Sequence, residues 1–153
     1  MKKKIVVSLI IIIVAIQFVR TEVATAVFEP EQDLLNITQA NEEVVSLMKT
    51  TCYDCHSEET KTPWYAQVAP FSWWINDHIN EGKEHLNFSA FGTYSAKKAA
   101  HKMEECYEEL EKGEMPLTSY TITHADARLS DEQKATLINW FKSVEKKYKD
   151  EIE

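Results

Sequence analysis

Apolar and polar positions follow helical periodicity over most of the chain, most clearly in four stretches. These stretches cover about residues 39–50, 72–86, 95–112 and 130–147. In each of them apolar residues recur three or four positions apart, which places them on one face of an α-helix. No alternating pattern typical of β-strands stands out, and the chain has only three glycines. The pattern therefore predicts an all-α fold.

Capping residues support these helix assignments. Ser72 is placed to cap the second helix, and Gly113 is placed to end the third. The fourth stretch opens with SDEQ, in which Ser130 and Gln133 have the spacing of a capping box. We therefore expect the fourth helix to begin directly after Ser130.

The first 20 residues, MKKKIVVSLIIIIVAIQFVR, have three lysines followed by an almost uninterrupted aliphatic run. This pattern is typical of an export signal. Ala24 and Ala26 have the small-residue spacing that a signal peptidase reads, so cleavage after Ala26 is one prediction. The alternative is an uncleaved membrane anchor, because Arg20 directly follows a run close to the length of a spanning helix. Both the cleaved signal and the uncleaved anchor predict that the chain after Ala26 lies outside the cytoplasm, in the bacterial periplasm.

The expected organisation follows from these segments. Residues 1–26 are predicted to be a signal peptide or membrane anchor, and residues 27–38 a linker. A single helical domain is expected over residues 39–147, followed by a tail at 148–153. A chain of this length is enough for one modest hydrophobic core.

The charge of the chain is unevenly distributed. The first 26 residues carry four basic residues and one acidic residue, a net charge of +3, so the total of −8 leaves −11 for the remainder. Such an acidic surface argues against binding nucleic acid or anionic lipid headgroups by charge. We expect a docking partner to be basic at the contact surface.

The candidate chemistry is concentrated in TTCYDCHSEE, residues 50–59. This stretch contains two of the three cysteines and a histidine in the pattern Cys-x-x-Cys-His, the sequence signature of c-type haem attachment. On a helical turn Cys52 and Cys55 lie on one face, so each thiol can form a thioether with a haem vinyl group. His56 then follows as an iron ligand.

Three other interpretations of this stretch stay open. A redox dithiol usually has a strand before the motif, but here a helix is predicted. A zinc site could use Cys52, Cys55, Cys106 and one histidine, although a second paired ligand motif is lacking. A structural disulfide could join Cys52 to Cys55 or to Cys106. Haem attachment is favoured because it takes place outside the cytoplasm, and Cys106 is expected to be an inert buried thiol.

The segments CYDCHSEETKTPWY, PFSWWINDHINEGKEHLNFS and GEMPLTSYTITHADARLSDEQ resemble the small bacterial haem-binding domain family of cytochrome c type. The resemblance covers about residues 40–145. It implies a cytochrome c-like helical domain wrapped around one covalent haem c, preceded here by an N-terminal hydrophobic helix. It also implies attachment through Cys52 and Cys55, with His56 as the proximal iron ligand.

The sixth iron position has two main candidates. Met115, in KGEMPL, lies after a helix with no apolar periodicity to explain it, and a Met-Pro in this place resembles the distal ligand of cytochromes c. His78 is the alternative, because it flanks the apolar face of the second helix and is able to point inward. His101 and His124 are predicted to be solvent-exposed.

A backbone carbonyl is expected to accept a hydrogen bond from Nδ1 of His56 and so to orient its ring. Pro63 and Pro70 are the candidates for this carbonyl. Taken together, these sequence features predict an exported monohaem c-type cytochrome that carries single electrons and is not an enzyme. The alternative is a haem-based sensor or small-ligand-binding domain with an open or weakly held sixth iron position.

Overall fold

The computed structural model describes residues 2–152, and the regular structure in this range is helical, without strands. Within residues 2–152 the α-helices are α1 (Lys2–Ile16), α2 (Leu34–Ile37), α3 (Glu42–Thr51), α4 (Tyr53–His56), α5 (Phe71–His85), α6 (Ala96–Lys112), α7 (Thr118–Thr123) and α8 (Asp131–Asp150). Short 3₁₀ turns lie at Pro30–Gln32, Trp64–Gln67, Phe88–Thr93 and Ala125–Ala127. The predicted all-α fold is confirmed.

The four predicted helices correspond to α3, α5, α6 and α8. The capping box forms as expected, since Ser130 Oγ accepts from the Gln133 amide at 3.2 Å and Gln133 Oε1 accepts from the Ser130 amide at 2.9 Å. Gly113 ends α6 with a φ of 76°, a left-handed conformation that favours glycine. The predicted Ser72 cap is wrong, because α5 begins after Pro70 and the Ser72 amide already donates to a backbone carbonyl.

The centre of the domain is the packing of α6 against α8. The periodicity of α6 predicts an apolar stripe of Ala99, Met103, Cys106 and Leu110, and this stripe is buried apart from Cys106, which is partly exposed. Both helices contribute to one buried cluster, to which α6 supplies Ala99, Met103 and Leu110 and α8 supplies Leu137, Phe141 and Val144. Helix α3 packs against α8 of this pair, and α3 in turn contacts the CYDCH turn.

The segment predicted to be a linker, 27–38, contributes to the same core. Leu34 and Leu35 of α2 are buried, and Asp33 caps α2 by accepting from the Leu35 amide at 3.1 Å. The Tyr53 hydroxyl also donates to Asp33, at 3.0 and 3.1 Å to its two carboxylate oxygens. Burial raises the pKa of Asp33 and, together with the charge of Asp33, that of Tyr53. The second half of this segment is therefore joined to the start of α4.

The N-terminal apolar run forms α1, and the aliphatic residues from Ile5 to Val14 on this helix are exposed. Within residues 2–152, no helix has both the length and the apolar character required to cross a membrane. The anchor and the cleaved signal both stay predictions.

Candidate functional site

The CYDCH motif forms one tight helical turn between α3 and α5. Cys52 follows the last residue of α3, and its carbonyl accepts hydrogen bonds from the amides of Cys55 at 3.2 Å and His56 at 3.0 Å. Tyr53, inside the motif, is buried and stacks on Phe88 with ring centroids 5.5 Å apart. The turn thus brings the three predicted haem-binding residues together on a well-packed support.

The cysteines of this turn are protonated at neutral pH. Burial raises the pKa of Cys52 to about 12, with a smaller contribution from Cys55. Burial and the charge of Asp54 raise the pKa of Cys55 to about 11. A redox dithiol requires the opposite, a thiolate with a lowered pKa. The thiols therefore do not have the chemistry of a thioredoxin-like pair.

The zinc and disulfide interpretations receive no support from the geometry. Cys52, Cys55 and Cys106 are all free thiols. In the part of the chain from residue 2 to residue 152, no group of three or more His, Cys, Asp or Glu side chains is arranged to hold a metal ion. Burial raises the pKa of Cys106 well above its ordinary value, as expected of an inert thiol.

His56 is oriented by the C-terminal end of α5. Its Nδ1 lies 2.9 Å from the carbonyl oxygen of Gly82 and 3.0 Å from that of Leu86. Both partners are acceptors, so Nδ1 carries the proton and Nε2 is the nitrogen available to a metal. Burial lowers the pKa of His56, which favours the neutral imidazole that ligation requires. The expectation that Pro63 or Pro70 accepts this bond is wrong, because the carbonyls of Gly82 in α5 and of Leu86 directly after it are the acceptors.

Gly82 allows α5 to approach the motif this closely. A Cβ atom at this position would lie 2.6 Å from the carbonyl oxygen of Cys55, well inside van der Waals contact. Glycine within a helix costs about 1 kcal/mol relative to alanine. That cost is offset by the contact with α4, which places the Gly82 carbonyl within reach of His56.

A cavity of about 530 Å³ opens beside Cys55. This volume falls within the range of about 300–1,000 Å³ that is usual for cofactor and ligand sites. Most of its walls are apolar, and the apolar lining residues include Pro63, Trp64, Phe71, Trp74, Ile75, Ile79, Leu117 and Ile122. At the rim, Trp64 is 79% exposed and Trp74 is 47% exposed. Cys52 and His56 lie outside this lining, whereas Cys55 belongs to it.

The wall opposite α5 is formed by α7, which is tied directly to the motif. The Tyr120 hydroxyl donates to Asp54 Oδ2 at 2.8 Å, and the Tyr120 ring stacks on His124 at 4.1 Å. The Nε2 atom of His124 in turn lies 3.3 Å from the hydroxyl oxygen of Tyr65. The prediction that His124 is solvent-exposed is wrong, because it is partly buried and lines the cavity. The spacing of Tyr120 and His124, four apart on a helix, is the one sequence signal for this pair.

The two distal-ligand candidates are placed differently. His78 lines the cavity, and its Nδ1 donates to the Trp74 carbonyl at 2.9 Å, so Nε2 is the nitrogen able to ligate. Met115 is partly buried in the connection between α6 and α7 but does not line the cavity, although Leu117 does. His101 is exposed and pairs with Glu105 at 3.2 Å. Both distal assignments stay predictions.

These residues fit a haem. The cavity is large and mainly apolar, as a hydrophobic macrocycle requires. Cys55 contributes a protonated thiol to its edge, and His56 is held in the tautomer that leaves Nε2 for iron. The cavity therefore offers the space with Cys55 in its lining, and Cys52 and His56 belong to the same short turn beside it.

The geometry predicts that Gly82→Ala destabilises the protein although alanine is the better helix former. Overpacking costs about 1–3 kcal/mol, and we expect the upper part of that range, about 2–3 kcal/mol, because the clash is with a backbone oxygen; the gain in helix propensity is about 1 kcal/mol. We expect a net loss of about 1–2 kcal/mol in the free energy of unfolding, measured by urea denaturation. Glu81→Ala, an exposed change on the same helix, is the control and should have little effect. A Gly82→Ala protein as stable as this control would contradict the close approach.

Comparison with known proteins agrees with this geometry. The model of a family described as a haem-binding domain matches residues 11–143. No curated protein and no solved structure matches the chain. Since the family match spans most of the chain, including the CYDCH turn, α5 and α7, we conclude that the protein belongs to the haem-binding domain family and binds haem.

Proposed function

We propose that the protein is an exported monohaem c-type cytochrome that carries single electrons. The observation that carries this proposal is the CYDCH turn, in which two protonated thiols stand next to an imidazole whose Nδ1 is hydrogen-bonded to α5. Haem supplies a one-electron iron couple when it is bound. The protein holds, shields and orients the cofactor and carries out no chemical step on a substrate.

Attachment takes place at Cys52 and Cys55. On binding, each thiol would add across a haem vinyl group: the S–H bond and the vinyl π bond would break, a sulfur–carbon bond would form, and the hydrogen would go to the other vinyl carbon. Both thiols are protonated at neutral pH and supply that hydrogen themselves. His56 provides the proximal ligand through Nε2. Such attachment outside the cytoplasm agrees with the export signal at the N-terminus.

Met115 provides the distal ligand in this proposal. It lies between Gly113, which ends α6, and Leu117, which lines the cavity. The methionine side chain is unbranched and flexible, with a polarizable thioether, which suits a ligand position close to the cavity. Ligation by methionine raises the reduction potential, which suits an electron carrier.

The second candidate function is a haem sensor or small-ligand-binding domain with an open or weakly held sixth position. The observation that favours it is the composition of the cavity wall. His78 and His124 line the cavity and Met115 does not. A distal pocket with imidazoles and the Tyr65 hydroxyl would offer hydrogen bonds to a small ligand on the iron.

Covalent attachment is tested by denaturing the purified haem protein. We expect the red colour to stay with the polypeptide in acidified organic solvent. Cys52→Ser and Cys55→Ser should each leave one thioether, and the double variant should release the haem completely. Cys106→Ser is the matched control and should retain covalent haem. Extraction of the haem from the unsubstituted protein would contradict the proposal.

The distal ligand is tested by visible spectroscopy of Met115→Ala and His78→Ala. If Met115 ligates iron, its replacement removes the weak sulfur-to-iron band at the red edge of the ferric spectrum. The reduced variant should then bind carbon monoxide at once, while His78→Ala behaves like the unsubstituted protein. Unchanged spectra for Met115→Ala would overturn this assignment, and altered spectra for His78→Ala would favour the histidine.

The redox partner is expected to be basic at its contact surface, because residues 27–153 carry a net charge of −11, whereas residues 1–26 carry +3. Electrostatic steering between such surfaces is screened by salt. We therefore predict that the rate constant of electron exchange with a small basic redox protein falls as ionic strength rises. An equal change in osmolarity with an uncharged solute is the control and should leave the rate unchanged. A rate insensitive to salt would contradict a charged docking surface.

A further inference from the structure

Residues 17–26 connect α1 to the haem-binding domain, and they run alongside α5 rather than away from it. Four side chains of α5 donate hydrogen bonds to backbone carbonyls of this segment. They belong to Trp73, Asn76, Asn80 and Lys83. Their spacing of three, four and three residues keeps them on one face of the helix. We call this face the polar stripe of α5.

The contacts begin at the start of α5. The Gln17 side chain makes two bonds to Ala69, donating to its carbonyl at 3.1 Å and accepting from its amide at 3.0 Å. Trp73 Nε1 donates to the carbonyl of Val19 at 2.8 Å. The segment is therefore fixed at its N-terminal end by a side chain of its own and by the first residue of the stripe.

The contacts continue along the middle of the helix. Asn76 Nδ2 donates to the carbonyl of Thr21 at 2.8 Å. Asn80 uses both ends of its amide, since Nδ2 donates to the Glu22 carbonyl at 3.1 Å and Oδ1 accepts from the Ala24 amide at 2.8 Å. A side chain that pairs with a main-chain carbonyl and a main-chain amide holds the backbone itself, whatever side chains the segment carries.

The contacts end at Glu58, two residues after His56. Lys83 donates to the carbonyl of Ala24 and forms an ion pair with Glu58 at 3.0 Å, and both of these side chains are only 7% exposed. Glu58 also accepts from the Ala26 amide at 3.1 Å and from Asn87 at 2.8 Å. The segment therefore covers an ion pair next to the proposed iron ligand.

We propose that the polar stripe of α5 is a binding site for the backbone of residues 17–26, and that this segment stays on the mature protein as a brace of the His56 site. The proposal rejects cleavage after Ala26, because that cut would remove every backbone partner of the stripe and leave Lys83 with Glu58 alone, in an ion pair no longer covered by the segment. The brace also keeps α1 beside the domain instead of at the end of a free tether. None of these contacts involves haem, so the proposal stands apart from the proposed function.

The intact mass of the protein purified after export, with its natural N-terminus, is the first test. We expect a chain that starts at or before Gln17. A chain that starts beyond Gln17, and at Val27 in particular, would overturn the proposal. This measurement requires no variant, so it does not depend on whether any substitution folds.

Amide hydrogen exchange of the full-length chain tests the contacts themselves. We expect the Ala24 amide to exchange slowly in the unsubstituted protein and about tenfold faster or more in Asn80→Ala, which removes its acceptor. Asp77→Ala, an exposed change on the same helix, is the matched control and should leave the exchange slow. Equal rates in Asn80→Ala and Asp77→Ala would overturn the contact on which the brace depends. Neither the intact mass of the polypeptide nor its amide exchange is measured through the haem spectrum. Failure of the proposed cytochrome function is therefore distinguishable from failure of the proposed brace.

Discussion

The hydrogen bonds from His56 Nδ1 to the carbonyls of Gly82 and Leu86 are the constraint on which the rest of the site depends. They fix the tautomer and the rotation of the imidazole before any metal is bound, so Nε2 is the free nitrogen. They require α5 to lie almost in contact with α4. Only glycine at position 82 allows this approach, because a Cβ atom there would collide with the backbone of Cys55.

The rest of the fold holds the other side of the same turn. Tyr53 is tied to Asp33 of the core, and Asp54 accepts from Tyr120 of the opposite cavity wall. Neighbouring residues of one short motif therefore anchor three separate parts of the chain. This arrangement explains why a four-residue helix can support a cofactor, since its position is set by long-range contacts rather than by its own few hydrogen bonds.

The sequence predicts those features that residues close together in the chain determine, and it misses those that depend on contacts between distant residues. The helices α3, α5, α6 and α8 were predictable because periodicity and caps such as Ser130 act within a few residues. The carbonyls that accept from His56 were not predictable, because they lie 26 and 30 residues further along the chain. The place of His124 depends on how α7 docks on Asp54, a contact that no local pattern encodes.

The most direct test of this account is a crystal structure of the haem-loaded protein. The account predicts iron bonded to Nε2 of His56, with Nδ1 still within hydrogen-bond distance of the Gly82 and Leu86 carbonyls and with both motif cysteines joined to the haem. Iron bound to a different residue on the proximal side, or a His56 ring turned away from α5, would contradict it.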